Sequence, residues 1–464
     1  MTSFGLGRYA LGVVAGVAIL TGCGGSQSSS GASGAMPQGA SVRVAPMASQ
    51  FETHIRPQVS GLEALYSFKG SPDGADPWSG LVVLTKRQCG APCPRGGLIG
   101  TTLMGGDSNN DGTVYGVMSG KKGSWTESVL YTFKGYPSDG SEPTGILAET
   151  QPNRVFVTTV AGGTNSLGTV ADLSCSSDWG QCESQSGAVY SFAGTPDGAK
   201  PYGAVIADKA GNLYGTTSAG GTDNAGTVYR MQPKGSSYIE SVLYSFESGK
   251  DGDQPYAGLI IDKKGALYGT TVEGGATGYG SVFKLMPSGS GYAKSILYSF
   301  QGVPDGSQPY SGVCADPHGA LYGTTEEGGT QNLGTVYKLA PSGSSYKEKV
   351  LWNFGSGSGD GTSPYGGVLV DKDGVIAGTT YGGGSGGSSG LGTFFTLTPS
   401  GGTYKESIYS FTGTDGANPY AGPSVDENGR VYGTTTQSGG EDLNWGSIWG
   451  YTKLILRSVP PACW

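Results

Sequence analysis

The hydrophobic positions of this chain fall in short runs separated by turns of Gly, Asp, Ser, Asn and Pro, and the runs recur in a fixed order. One unit reads Tyr310-Ser-Gly-Val-Cys-Ala-Asp316, then Ala320-Leu-Tyr-Gly-Thr-Thr325, then Gly334-Thr-Val-Tyr-Lys-Leu339, and then Tyr346 through Leu351-Trp-Asn-Phe354. Each run is rich in β-branched and aromatic residues and bounded by turn formers, which predicts four short strands per unit. Along Ile296-Leu-Tyr-Ser-Phe300, alternation puts Ile296, Tyr298 and Phe300 on one face. That face is expected to pack on a neighbouring unit, since one unit alone cannot bury it.

The unit occurs seven times. Its Asp-Gly-x-x-Pro signature starts at Asp73, Asp139, Asp197, Asp251, Asp305, Asp360 and Asp415, at spacings of 66, 58, 54, 54, 55 and 55 residues. A period near 54 matches a four-stranded propeller blade rather than a solenoid coil of roughly 20 to 30 residues. The predicted fold is therefore all-β: a seven-bladed β-propeller of four-stranded blades over residues 62–455, with 456–464 as a tail. The first copy opens on an outermost strand, Leu62–Phe68, and the last stops at a third strand, Gly446–Tyr451. The N-terminal strand is thus expected to complete the final blade and remove a free edge.

Composition alters this picture at the N-terminus. Residues 1–22 carry a single charge, Arg8, an apolar run from Ala10 to Leu20, and then Leu20-Thr21-Gly22-Cys23. That pattern predicts a secretory signal ending in a lipobox, with Cys23 as the lipidated residue; the alternative is an ordinary signal with a chance cysteine. Residues 23–61 are mostly Gly, Ser, Ala and Pro and read as a flexible linker. The net charge of −8 argues against nucleic acid as a partner, because phosphate binding needs a basic footprint. The expected partners are a membrane, through Cys23, and a glycan or envelope protein, with the chain a monomer.

Four motifs recurring in order, Asp-Gly-x-x-Pro-Tyr, Leu-Tyr-Gly-Thr-Thr, Gly-Gly and Gly-Thr-Val-Tyr, resemble the GloVer tandem repeat of bacterial "choice-of-anchor" surface proteins over roughly residues 62–454. The resemblance implies a propeller, brings no established activity with it, and is accompanied by a more distant likeness to NHL-type propellers. Gly24 after the cysteine is similar to lipoproteins sorted to the outer membrane of Gram-negative bacteria. The implied location is the cell envelope, at the outer membrane or cell surface.

With this strand order the Asp-Gly and Gly-Gly turns share one face, expected to be the binding face. Asp107–Asp111, Gly221–Asn224 and Glu441–Trp445 vary there from copy to copy. The residue after each signature proline is Trp78, Thr144, Tyr202, Tyr256, Tyr310, Tyr365 or Tyr420. The six aromatics are candidate ligand-binding residues that could stack on sugar rings; the competing reading makes them a wedge between blades. Each signature Asp is read as capping its own turn, with the following Gly at positive φ, against a glycosidase-like carboxylate pair near the axis. Asp107-x-Asn109-x-Asp111 begins like a calcium loop, yet Met118 stands where Glu is needed.

Histidine is scarce: His54 lies in the linker and His318 in a turn, which argues against a Ser-His-Asp triad or a histidine-rich metal centre. No metal, cofactor or catalytic residue is assigned. Two local disulfides are candidates, Cys89 with Cys93 and Cys175 with Cys182, and crossed pairing or a four-thiolate zinc site are the alternatives. Cys314 is expected to be buried, and Cys463 is unassigned. The expected function is a non-catalytic binding or scaffold propeller. The alternatives are a carbohydrate-active hydrolase or lyase using acidic and tyrosine residues such as Glu273, Glu326 or Glu327, and a purely structural surface protein.

Overall fold

The computed structural model describes residues 61–460 apart from 86–87, 89–95, 149–152, 236, 290, 344, 386, 388–389 and 438–444. The lipobox Cys23, the linker through residue 60, His54, Cys463 and most of the Glu441–Trp445 turn lie outside the described residues. So do Cys89 and Cys93, and with them the local disulfide expected between the two. The rest forms seven four-stranded antiparallel sheets arranged as a β-propeller. The innermost strands of blades 1 to 7 begin at Val82, Gly140, Ile206, Ile260, Cys314, Leu369 and Ser424. In blade 5 the order from the axis outward is Cys314–Ala315, Leu321–Thr325, Thr335–Ser342 and Ser345–Asn353. Blade 7 takes its outer strand from the start of the domain: Leu62–Ser67 pairs antiparallel with Ser447–Tyr451, as the phase of the repeat predicts. Beyond that strand, Leu456 and Val459 remain buried against blades 6 and 7.

The described residues form no single core. Seven hydrophobic clusters each join two neighbouring blades; one unites Tyr268, Val282 and Phe300 of blade 4 with Val313, Leu321 and Tyr337 of blade 5. Every blade therefore depends on its neighbours for burial, which is the physical reason for the ring. The expected face of the outer strand needs one correction. Tyr298 and Phe300 join the cluster, whereas Ile296 is 36% exposed and Leu297 packs in its place. The register shifts between Val282 and Phe283, leaving Leu297 as an extra, bulged residue that reverses the alternation. The outer strand of blade 6 is one residue shorter and pairs without a shift.

The repeated motifs fit one another. In Gly-Thr-Thr, a Cβ on Gly323 would lie 2.5 Å from the Tyr337 hydroxyl oxygen, so the glycine makes room for the aromatic ring of Gly-Thr-Val-Tyr on the next strand. The first threonine of the pair reaches across the blade interface: the Thr324 hydroxyl donates to the Gly366 carbonyl at 2.8 Å, and that of Thr434 to Ser79, closing the ring. The second threonine stays within its blade, with Thr325 and Thr335 hydroxyls 2.8 Å apart.

Outside the core, tyrosine hydroxyls of the outer strands donate to the signature Asp of the following copy, as in Tyr66 to Asp73 and Tyr298 to Asp305, both at 2.8 Å. Facing these pairs from the next blade are Glu127, Glu240 and Glu348; the same position is Ser184, Lys294, Glu406 or Leu62 elsewhere. Burial, with the charges of Asp73, Asp197 and Asp305 added, pushes the three glutamates up from 4.5 to about 7. The native state thus keeps protons that the unfolded chain releases from about pH 4.5 upward, so these groups make stability fall as pH rises toward about 7. Urea midpoints at pH 5 and pH 8 should show the folded state weaker at pH 8. In a Glu127→Gln, Glu240→Gln, Glu348→Gln variant the difference should shrink; an unchanged difference would rule these groups out as its source.

Candidate functional site

The site is built at the end of the axis where each blade begins. In Asp-Gly-x-x-Pro the carboxylate caps its own turn: Asp73 Oδ2 accepts from the Lys69 amide at 3.0 Å and Oδ1 from that of Gly74 at 2.7 Å. The expectation of a left-handed glycine after the Asp is corrected in five of the seven copies, since only Gly252 and Gly416 have positive φ. The other glycines answer a contact instead; a Cβ on Gly306 would sit 2.5 Å from Thr325 Cγ2.

The left-handed residue is the one before the proline. Asp76, Glu142, Lys200, Gln254, Gln308, Ser363 and Asn418 have φ between 53° and 57°, a conformation that non-glycine residues adopt only when the surroundings enforce it. The surroundings here are backbone hydrogen bonds to the previous blade, such as Gln308 N–H to the Tyr279 carbonyl at 3.0 Å, while the Gln308 carbonyl accepts from Glu326 N–H of its own blade at 3.0 Å. Two residues further on stands the aromatic side chain, so this pinned turn sets the direction in which the ring enters the axis.

All six candidate aromatics meet in one arc. Ring centroids are separated by 4.6 Å for Tyr202 and Tyr256, 5.4 Å for Tyr256 and Tyr310, and 5.2 Å for Tyr310 and Tyr365. The arc continues at 4.8 Å to Tyr420 and 4.4 Å to Trp78. Thr144 fills the seventh place and leaves the ring open between Trp78 and Tyr202. Trp78 and Tyr365 both stack on Tyr420, giving that residue a packing role. Tyr256 and Tyr310 meet their neighbours tilted or edge-on.

The arc rims an axial cavity of about 650 Å³ lined by the innermost strands of all seven blades. Past the aromatics, the strands present small residues such as Gly258 and Gly312, then Val82, Ile206, Ile260 and Leu369. Cys314 also lies there, buried as expected and, as the sequence did not foretell, disulfide-bonded.

The crown is acidic. Burial, with the charges of Tyr256 and Glu142, raises Tyr202 to about 12. Burial also raises Tyr256, with Glu273, and Tyr310, with Glu326, Glu273 and Glu327. The Tyr365 hydroxyl donates to Glu326 Oε1, and burial together with Glu327 pushes the Glu326 carboxyl up despite that bond. Burial alone lifts Asp76 to about 6. Tyr381, whose ring meets both Tyr365 and Tyr420, extends the crown outward.

Asp76, Glu142 and Tyr381 escaped the sequence reading. A signal for the first two existed: the position before the proline is polar in all seven copies yet differs among them. The calcium-like residues act separately: Asp107 Oδ1 accepts from the Asn109 amide at 2.8 Å, and Asp111 Oδ1 from the Ser141 hydroxyl at 2.6 Å. On the opposite face Cys175 and Cys182 form the expected disulfide, and Trp179 between them donates its indole N–H to the Gln88 carbonyl of blade 1 at 3.2 Å. That bond settles two alternatives for Cys175 and Cys182: they pair with each other, so neither crosses to Cys89 or Cys93 and no four-thiolate zinc site forms from the four.

Comparison with known proteins gives one family match. The model of the Gloeobacter/Verrucomicrobia repeat matches residues 92–294, 181–389 and 239–449. No curated protein matches. Among solved structures, a 6-phosphogluconolactonase candidate from Bacteroides fragilis is 13% identical with a TM-score of 0.48, covering 69% of this chain and 83% of its own. An ancestral GH74 enzyme is 11% identical with a TM-score of 0.47, covering 79% of this chain and 56% of its own. A hypothetical selenium-binding protein from Sulfolobus tokodaii is 10% identical with a TM-score of 0.46, covering 68% and 76%. Identities and scores this low carry nothing about activity.

Proposed function

The chain belongs to the Gloeobacter/Verrucomicrobia repeat family, and from that premise we propose that it is a non-catalytic binding propeller of the cell envelope that takes a glycan at the aromatic mouth of its axial cavity. The observation that carries this reading is the arc from Tyr202 to Trp78 above the 650 Å³ cavity. The C–H face of a pyranose stacks on such rings, while phenol hydroxyls and carboxylates satisfy its hydroxyl groups. The opening at Thr144 leaves room for a chain to leave the mouth sideways.

The test is a glycan array probed with the purified full chain beside a Tyr256→Ala, Tyr310→Ala, Tyr365→Ala variant. Binding by the parent and its loss in a variant of unchanged circular dichroism is the expected outcome; no binding by the parent sinks the reading and leaves the rings as packing. A hydrolase or lyase reading draws on Glu326, whose burial favours the protonated form that a general acid needs. Turnover of a bound oligosaccharide, abolished by Glu326→Gln, would favour it.

The envelope location rests on the Leu20–Cys23 lipobox. The full protein is expected to stay with membranes after carbonate washing and Cys23→Ala to be released; retention of the variant would remove the lipid anchor from the proposal.

A further inference from the structure

Resting on the glycan reading, we propose that the saccharide taken at the mouth is cationic: an oligosaccharide of 2-amino-2-deoxyhexose units with free amines. Charge is the first argument. Glu142, Glu273, Glu326 and Glu327 all act on the phenols of the crown, and Asp76 acts on Tyr381 beside them. Among the seven turn residues before the prolines, Lys200 is the only cation, and it is exposed. A uronate, sialate or sugar phosphate arriving here would meet like charge, and a neutral hexose would use the carboxylates only as hydrogen-bond acceptors, without the Coulomb attraction.

Geometry is the second argument. The arc supplies π faces, to which an ammonium group is drawn by the ring quadrupole, and the attraction strengthens as water is excluded. Glu326 is half-buried at the rim with the Tyr365 hydroxyl on Oε1, and an ammonium arriving beside the stacked ring would hold its carboxyl in the ionised form. A sugar amine lies on the same small ring as the hydroxyls that the phenols would bond, so one residue of such a polymer uses faces, hydroxyls and charge together. A simple polyamine would leave the phenol hydroxyls without partners, which carries a cost in a buried site.

The experiment follows Trp fluorescence and heat of binding of the full chain with three tetrasaccharides at pH 6.5: β-1,4-linked glucosamine, its fully N-acetylated counterpart and cellotetraose, with spermidine as a fourth probe. The free-amine tetramer is expected to bind about tenfold or more tighter than the other two sugars, with an affinity that falls as salt is raised. In a Glu142→Gln, Glu326→Gln variant of unchanged circular dichroism that preference should vanish, and a preference that survives in it overturns the charge claim. Equal binding of all three sugars overturns the charge claim and leaves the glycan reading standing. Spermidine binding as tightly as the glucosamine tetramer overturns the saccharide claim. Failure of every sugar to bind overturns both.

Discussion

Phe68→Ala is expected to lower the free energy of unfolding by about 3–5 kcal/mol, the range for removing a buried phenylalanine. Phe68 is 2% exposed and packs in the cluster that joins blade 7 to blade 1, against Leu81, Tyr115, Tyr432 and Ile448. The residue sits at the end of the Leu62–Ser67 strand, and its amide donates to the Gly446 carbonyl at 3.0 Å. Deletion of residues 62–68 should be worse still, because it also uncovers the Ser447–Tyr451 edge and leaves Asp73 without the Tyr66 hydroxyl. An uncovered edge recruits other strands, so the deletion protein should self-associate as well as lose stability. Urea denaturation with light scattering reads both effects. A deletion protein with parental stability and a monomeric profile would mean that the N-terminal strand is not what holds the ring shut.

Gly323→Val should be nearly as damaging by itself, costing upward of about 1–3 kcal/mol through overpacking. Its partner across the ladder is Tyr337, fully buried, and a Cβ at Gly323 would fall within 2.7 Å of the Tyr337 Cζ atom. Blade 2 already carries the complementary solution: Val157 and Ala171 occupy the equivalent paired positions, both buried, with the bulk moved from one strand to the other. Blade 1 has Gly100 with Tyr115, and blade 7 has Gly433 with Trp449. Tyr337→Ala alone should cost about 3–5 kcal/mol by leaving a cavity. The double variant Gly323→Val, Tyr337→Ala should then be less destabilised than the sum of the two, by about 1–3 kcal/mol. Strict additivity in a double-mutant cycle would show that the two positions do not share one volume.

The repeat made most of the architecture legible. Seven copies at six spacings near one period, and a first copy out of phase with the last, lead to the blade count and the clasp without any knowledge of contacts. The arc of Trp78, Tyr202, Tyr256, Tyr310, Tyr365 and Tyr420 follows too, because residues at one repeat position must meet around an axis. Ile296 departs from the expected face because one extra residue at Leu297 reverses a period-two pattern. Whether a residue bulges depends on its register with Val282 and Phe283 on the adjacent strand.

The same division runs through the site. The chain by itself determines fold class, blade number, closure and the aromatic positions, since these follow from hydrophobic period, copy number and order. Only the tertiary structure decides which residue of Asp-Gly-x-x-Pro is left-handed, because that φ is enforced by hydrogen bonds to a different blade. The acidic surroundings of the crown are likewise tertiary: Glu142 and Glu326 come from different blades, and Glu326 meets Tyr365 across an interface. Pattern along a chain reports what each element must bury, whereas charge and backbone strain at a site depend on which elements the closed ring brings together.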